Sequence, residues 1–204
     1  MTIFLTIVFS LLCTLTAQIN HPDHKTDAGW IELQDQSSGI WVGYKEFSDI
    51  TWCRTISTLP FKFNEISRMI EDKGNYYNIF DRVVESKEVG EDIVYMRINM
   101  PFPISDRDYL VQYAAEKDSS IYSYKFEAVE DIHFPEFSSC IRLDNAAGEW
   151  HIQRVNDSST KVVYTWNGAL GGSFPSYALT TAWGTQGNEM IVWLQESLEE
   201  LHKE

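Results

Sequence analysis

The chain is poor in basic side chains, and this shortage limits its partners. It has 16 Lys and Arg against 30 Asp and Glu, which gives a formal net charge of −14 at pH 7. A surface of this sign repels polyanions, so nucleic acid and tight electrostatic docking on an anionic bilayer are both disfavoured. Solubility is a sufficient reason for the acidic excess. We predict no nucleic-acid partner.

Cysteine is also scarce, and its spacing fits neither a zinc site nor a disulfide framework. Cys53 and Cys140 fall within strand-like runs, so we predict two buried free thiols. His21 and His24 stand in a polar segment, where ordinary solvent-exposed side chains are a better explanation than ligands of a loosely held metal. We predict no metal and no cofactor.

The sequence contains few patterns that are typical of enzymes. Residues 171–175 read Gly-Gly-Ser-Phe-Pro, which is not the Gly-x-Ser-x-Gly turn of a serine hydrolase, and no Gly-rich phosphate loop occurs. His133 and His151 stand apart in sequence. An enzyme needs a convergent acid–base pair, and His151 with Glu127 is the candidate that the sequence offers.

No apolar run reaches the roughly 20 residues that span a bilayer. Residues 3–12 are almost purely apolar and small residues follow up to Ala17, which is typical of a signal peptide cleaved before Gln18. No Lys or Arg precedes this run, so a start further upstream or a buried N-terminal strand is the alternative; a lipid anchor at Cys13 is a minor option. We predict export, to the periplasm or outside the cell.

The pattern divides the chain into a signal peptide (residues 1–17), a polar tether (18–29) and one domain (30–204). Alternating apolar and polar residues in the domain predict an antiparallel meander with local turns. The predicted strands cover residues 40–45, 51–58, 81–88, 91–99, 107–116, 120–129, 138–155 and 160–167. Helical spacing predicts a short helix at 61–72 and a long one at 175–201, with Ser173 as a possible cap.

These elements predict an α+β fold in which a curled antiparallel sheet wraps around the long C-terminal helix. A helix of about 27 residues is roughly 40 Å long, and a curled sheet cannot close tightly along all of it. An internal hydrophobic cavity follows. Gly184 and Gly187 interrupt the helix, which indicates a close approach of another segment, a bend, or simply a weaker helix.

Three segments resemble the START family, the steroidogenic-acute-regulatory-related lipid-transfer domains. They are Pro-Phe-Pro-Ile-Ser-Asp-Arg-Asp-Tyr at 101–109, Gly-Glu-Trp at 148–150 and Thr-Trp-Asn-Gly-Ala-Leu-Gly-Gly-Ser-Phe-Pro-Ser at 165–176. The resemblance covers about residues 30–202 and implies a helix-grip fold with a tunnel for one lipid, typically a sterol, phospholipid or sphingolipid. It also implies lipid transfer or sensing without catalysis. Asn167 departs from the aspartate that many members carry.

Side-chain alternation predicts which residues line the cavity. Arg107, Tyr109, Val111 and Tyr113 share one face, and the resemblance places the matching arginine inside, against a lipid head group or an acidic partner. A rim salt bridge with a neighbouring aspartate is the alternative, as is ordinary core packing for each aromatic. The other predicted cavity residues are Met96, Ile98, Tyr122, Tyr124, Phe126, Trp183, Met190 and Leu194.

Two loops, residues 100–106 and 168–174, are predicted to gate the cavity. Prolines keep the first loop out of the sheet, and glycines give the second its freedom. The predicted gate residues are Met100, Phe102, Ile104, Leu170 and Phe174. We predict a monomer that binds one lipid, with transient membrane contact. The alternatives are an enzyme or chaperone of the same fold acting on polyketide-like or other ring substrates, and a closed domain without a ligand.

Overall fold

The computed structural model describes residues 19–24, 28–129 and 134–203. The predicted signal peptide, Cys13 and His133 lie outside these residues. Among the helices of the described part, none is long and apolar enough to cross a membrane.

Ten strands of the described residues form one curled sheet. They are β1 (Ile31–Gln34), β2 (Ile40–Phe47), β3 (Ile50–Leu59), β4 (Val83–Gly90), β5 (Ile93–Ile98), β6 (Asp106–Lys117), β7 (Ile121–Ala128), β8 (Cys140–Arg142), β9 (Ala147–Arg154) and β10 (Thr160–Asn167). The spatial order is β1-β2-β3-β10-β9-β7-β6-β5-β4, and β8 pairs with β6 in parallel. This path does not close on itself. Together with the long C-terminal helix, it confirms the predicted α+β helix-grip class.

In the part of the chain that the structure describes, two α-helices complete the fold: α1 (Phe63–Glu71) and α2 (Leu179–Leu201). The prediction for α1 is confirmed, but α2 begins four residues later than predicted. Pro175 has an extended backbone, with ψ at 122°, and residues 176–178 form a single tight turn before the helix. No side chain caps α2, so Ser173 does not have the predicted role.

The single strand predicted at 138–155 is wrong, because it is two strands. Residues 144 and 145 form a polar turn between β8 and β9, and the backbone N–H of Leu143 donates to the Asp108 carbonyl at 2.8 Å. Cys140 is therefore half-buried beside β6 and does not lie in the strand next to β10. Cys53 is fully buried, and both thiols are free.

Helix α2 packs on β1, β2 and β3. Gly187 allows this close approach, because a Cβ there would lie 2.6 Å from Cγ1 of Val42. At Gly184 the same added atom would have Cβ of Leu33 as its nearest neighbour, at 3.9 Å. The glycine at 187, rather than the one at 184, is required by the contact between helix and sheet.

Residues 21–24, part of the predicted tether, lie against the convex outer face of the sheet. Pro22 is buried, and Nη2 of Arg54 donates to the Asp23 carbonyl at 3.0 Å. The His21 ring lies 4.9 Å from the Trp52 ring. The sequence pattern did not reveal this contact, whose physical reason is that Trp52 and Arg54 point outward and need cover.

Candidate binding cavity

A cavity of about 330 Å³ lies between α2 and the concave face of the sheet. Side chains from β5, β6, β9, β10 and α2 form most of its wall, and apolar groups predominate. Its volume lies at the lower end of the range of roughly 300–1,000 Å³ found for small-molecule sites. The space predicted from the mismatch between a curled sheet and a straight helix is present.

The structure brings most of the sequence-predicted residues together on this wall. These are Met96, Ile98, Met100, Ile104, Arg107, Tyr109, Tyr113, Phe126, Leu170, Phe174 and Met190. Residues of both predicted gate loops are among them, so the two loops meet at one end of the cavity.

Three of the predicted cavity residues lie instead in the hydrophobic core or packed against it. The Tyr122 ring packs edge-on against Phe63 of α1, with centroids 4.7 Å apart. Tyr124 and Val111 are almost fully buried within the same core. Alternation predicted the face of each strand, but it does not distinguish a residue that contacts the cavity from one that is packed in the core.

Two further predicted cavity residues do not line the cavity, and the predicted gate residue Phe102 lies outside it. Leu194 is fully buried in the core against the sheet. Trp183 faces β2 and donates from Nε1 to the Gly168 carbonyl at 2.8 Å, beside the Tyr44 ring. Phe102 is 97% exposed at the tip of its loop, so it does not line the cavity.

A stack of aromatic rings on β9 and β10 forms part of the wall that the cavity prediction omitted. The Trp150 and Tyr164 rings lie 4.1 Å apart, and those of Tyr164 and Trp166 lie 5.1 Å apart. These residues alternate along their strands, so the sequence carried a signal for their common face. The sequence carried no signal that distinguishes residues of the cavity wall from residues of the core.

Within the described part of the chain, the charged residues of the wall are Arg82, Arg107 and Glu189. Arg82 donates from Nε and Nη2 to the two carboxylate oxygens of Glu189, each at 2.7 Å. These hydrogen bonds with the Glu189 carboxylate raise the pKa of Arg82. The pair links the segment before β4 to α2, and its separation in sequence explains why local patterns missed it.

Arg107 joins the two gate loops. Its Nε donates to the Leu170 carbonyl at 2.8 Å, its Nη2 to the Gly171 carbonyl at 3.1 Å, and its Nη1 to the Ser105 carbonyl. The side chain is only 2% exposed. Burial lowers its pKa, but a guanidinium still stays charged in a protein.

The aspartates beside Arg107 have other partners. Both carboxylate oxygens of Asp108 accept from Arg142 at 2.9 Å, and Asp106 accepts from the backbone N–H of Met100 at 3.1 Å. The structure therefore shows backbone carbonyls, rather than a rim carboxylate, as the hydrogen-bond partners of Arg107.

The backbone of the second loop fits this arrangement. Gly171 and Gly172 both have positive φ, at 62° and 59°, a region that side chains disfavour. A Cβ at Gly172 would also lie 2.4 Å from Cδ1 of Ile141. Two successive glycines thus permit the turn that presents carbonyl groups to Arg107.

The remaining polar groups of the wall include neutral tyrosines. Burial raises the pKa of Tyr109, Tyr113 and Tyr164 above the ordinary value, so these hydroxyls stay protonated at neutral pH. The acid–base candidates are elsewhere: His151 and Glu127 contact residues 21–24 on the outer face. The wall can give hydrogen bonds to the polar end of a ligand whose remainder is apolar.

The sequence has relatives of two kinds. An uncharacterised protein of Pseudomonas aeruginosa is 30% identical over 92 residues, which are 45% of this chain and 46% of that protein. Phosphatidylcholine transfer protein of Bos taurus is 26% identical over 154 residues, which are 74% of this chain and 70% of that protein. No protein-family model matches the chain. The match thus spans about half the length of the first relative.

Solved structures share the fold. A STAR-related lipid transfer protein from Xanthomonas axonopodis has a TM-score of 0.72 at 21% identity, over 84% of this chain and 99% of the other. Human StAR-related lipid transfer protein 5 has a TM-score of 0.76 at 13% identity, over 87% of this chain and 90% of the other. Zhui aromatase/cyclase from a Streptomyces species is more distant. Its TM-score is 0.51 at 13% identity, over 72% of this chain and 93% of the other. This chain has the helix-grip fold of the START domains, as its sequence motifs implied.

Proposed function

We propose that the protein binds one lipid in the cavity and transfers or senses it without chemical change. The observation that carries the proposal is the apolar cavity of about 330 Å³ between α2 and the sheet in a START fold. The sequence similarity to phosphatidylcholine transfer protein supports the lipid class in general.

The physical reason is the poor solubility of lipid chains. Each CH₂ group transferred from water to an apolar site gains roughly 0.8 kcal/mol, so ten groups gain about 8 kcal/mol. The aromatic and aliphatic wall supplies that environment. The Arg82–Glu189 pair and the tyrosine hydroxyls supply partners for a polar end.

We further propose that the loop end of the cavity touches membranes transiently. Phe102 is 97% exposed and Tyr177, in the turn before α2, is 87% exposed. Both belong to segments that frame the cavity. Apolar tips can enter an interface without positive charge, which suits a chain with a net charge of −14. We also propose that the protein acts as a monomer.

The placement of polar groups disfavours an enzyme acting on ring substrates. Among the described residues, the cavity wall contains no histidine. His151 and Glu127 are on the opposite face of the sheet, so they cannot act together on a molecule held in the cavity. The distant likeness to an aromatase/cyclase concerns the fold and does not supply these groups.

Export remains a proposal that rests on the sequence of residues 1–17. N-terminal sequencing of the protein isolated from its source cells tests it. A mature chain that starts near Gln18 supports export, whereas an intact Met1 contradicts it.

A transfer assay between vesicles tests the function. Donor vesicles carry a fluorescent phosphatidylcholine, and transfer to unlabelled acceptors is followed with time. Ala182→Trp places a large ring on the cavity wall, whereas Thr180→Trp places it on the same helix at an exposed position outside the wall. We expect transfer by the wild type and Thr180→Trp and strongly reduced transfer by Ala182→Trp. Equal rates for all three would contradict the proposal.

A further inference from the structure

The outer face of the sheet carries a second cluster of functional groups, separate from the cavity. Glu149 and His151 lie on β9 and point outward, because Trp150 between them points inward. His24, from the segment that lies on this face, stacks on His151 with ring centroids 3.8 Å apart and planes 17° apart. One ligand atom from each of His24, Glu149 and His151 lies within 4.8 Å of the others.

Two members of this cluster are buried in a way that favours a ligand. Glu149 is 3% exposed and His151 is 6% exposed. Nδ1 of His151 is buried and has no hydrogen-bond partner among the residues that the structure describes. Such an orphaned ring nitrogen is unfavourable unless something binds it. Nδ1 of His24 is 3.8 Å from Oε1 of Glu149, which is too long for a hydrogen bond.

We propose that His24, Glu149 and His151 form a binding site for one divalent transition-metal ion, for which Zn²⁺ is the probe. Two imidazoles and one carboxylate form a donor set that zinc accepts, with a fourth position for water. The side chain of His24 is 27% exposed, so solvent reaches that position. The hydroxyl of Ser123 donates to Oε1 of Glu149 and orients the carboxylate, as groups around metal ligands do.

Binding requires a contraction of the site and a rotation of the His24 ring out of its stack with His151, because an imidazole nitrogen binds a metal in the plane of its own ring. Ligands about 2.1 Å from a tetrahedral zinc ion lie roughly 3.4 Å apart. The present separations, at most 4.8 Å, therefore need to shorten by up to about 1.4 Å, and His24 belongs to a surface segment that can supply this movement. Binding would fix residues 21–24 onto the outer face. His24 belongs to the predicted tether and is far in sequence from β9, so the sequence pattern does not bring these three side chains together.

A calorimetric titration of the chelator-stripped full chain with zinc chloride tests the proposal. We expect one ion per chain, and at least a tenfold loss of affinity in both His24→Ala and Glu149→Gln. The control is His202→Ala, which removes another histidine near a carboxylate, with Nε2 3.6 Å from Oε2 of Glu65. It should bind zinc like the wild type. Absence of binding, or equal affinity in His24→Ala and wild type, would overturn the site.

A stability measurement covers the case in which the Glu149 variant does not fold. His24 lies in a peripheral segment, so His24→Ala should fold like the wild type. Zinc should raise the melting temperature of the wild type and of His202→Ala, because an ion that binds only the folded state stabilises it. It should leave His24→Ala unchanged. The same rise in His24→Ala would overturn the proposal.

Discussion

Nε of Arg107 donates a hydrogen bond of 2.8 Å to the carbonyl oxygen of Leu170. This bond joins the start of β6 to the loop before α2, two regions that are far apart in the sequence. The other guanidinium nitrogens reach carbonyl groups of Ser105 and Gly171. The buried arginine is therefore a latch between the loops at the end of the cavity, rather than an isolated charge that waits for a ligand.

Removal of this latch should loosen the loops. Arg107→Leu deletes charged donors whose hydrogen bonds are worth about 1.5–3 kcal/mol each and are not additive. We expect the free energy of unfolding to fall by roughly 2–4 kcal/mol, and a preloaded lipid to leave faster. The control is Arg68→Leu, which removes an exposed arginine whose Nε donates to the Asn64 carbonyl at 3.1 Å. If urea unfolding and lipid release of Arg107→Leu match those of this control, Arg107 does not hold the two loops together.

The exposed aromatic tips should govern membrane contact. Leu170 faces the cavity, so the two side chains suited to this test are Phe102 and Tyr177. Phe102→Asp combined with Tyr177→Asp should weaken association with neutral phosphatidylcholine vesicles by tenfold or more in a flotation assay. Val155→Asp is the control, since Val155 is 55% exposed just after β9, in the turn to β10. If the control weakens vesicle association equally, membrane contact does not depend on these two aromatic side chains in particular.

The two glycines of α2 should respond oppositely to alanine. Gly187→Ala places a Cβ 2.6 Å from Cγ1 of Val42 and should destabilise the fold by about 1–3 kcal/mol. At Gly184 the nearest atom lies at 3.9 Å, so alanine should stabilise by up to about 1 kcal/mol through helix propensity. Thermal unfolding of both variants measures the difference. A stabilising Gly187→Ala would contradict the close contact between α2 and β2.

His151 predicts a pH dependence of stability in the presence of chelator. Burial, with a smaller effect of His24, lowers the pKa of His151 to about 4. In the unfolded chain the pKa is about 6.5, so the unfolded state binds the proton first and acid favours it. Between pH 6.5 and 4, the unfolding free energy of the wild type should fall more steeply than that of His151→Gln. Parallel pH profiles in urea titrations would show that the ring is accessible to protons when folded.

The local pattern of the sequence predicted most of the fold. Alternation identified the strands from Ile93 to Ala128, and the position of Arg107 on the inward face follows from it. The pattern failed at residues 138–155, where a two-residue polar turn divides an otherwise strand-like run. It also placed the start of α2 at Pro175, although that proline precedes a separate turn.

The contacts that give the site its character could not be predicted in this way. The ion pair of Arg82 with Glu189 and the approach of His24 to β9 join residues that are distant in sequence. Local periodicity gives the face of each residue but not its partner across the fold. The same limit explains Tyr124. The prediction that its side chain points inward is correct, but the ring is buried in the core and does not line the cavity.

Native mass spectrometry of the protein purified from its source cells tests the central claim most directly. The account predicts a wild-type population with the added mass of one lipid molecule per chain. It predicts loss of that mass in Ala182→Trp and its retention in Thr180→Trp. A wild-type chain that carries no lipid and takes up none from vesicles, or an Ala182→Trp variant that holds lipid as fully as the wild type, would contradict it.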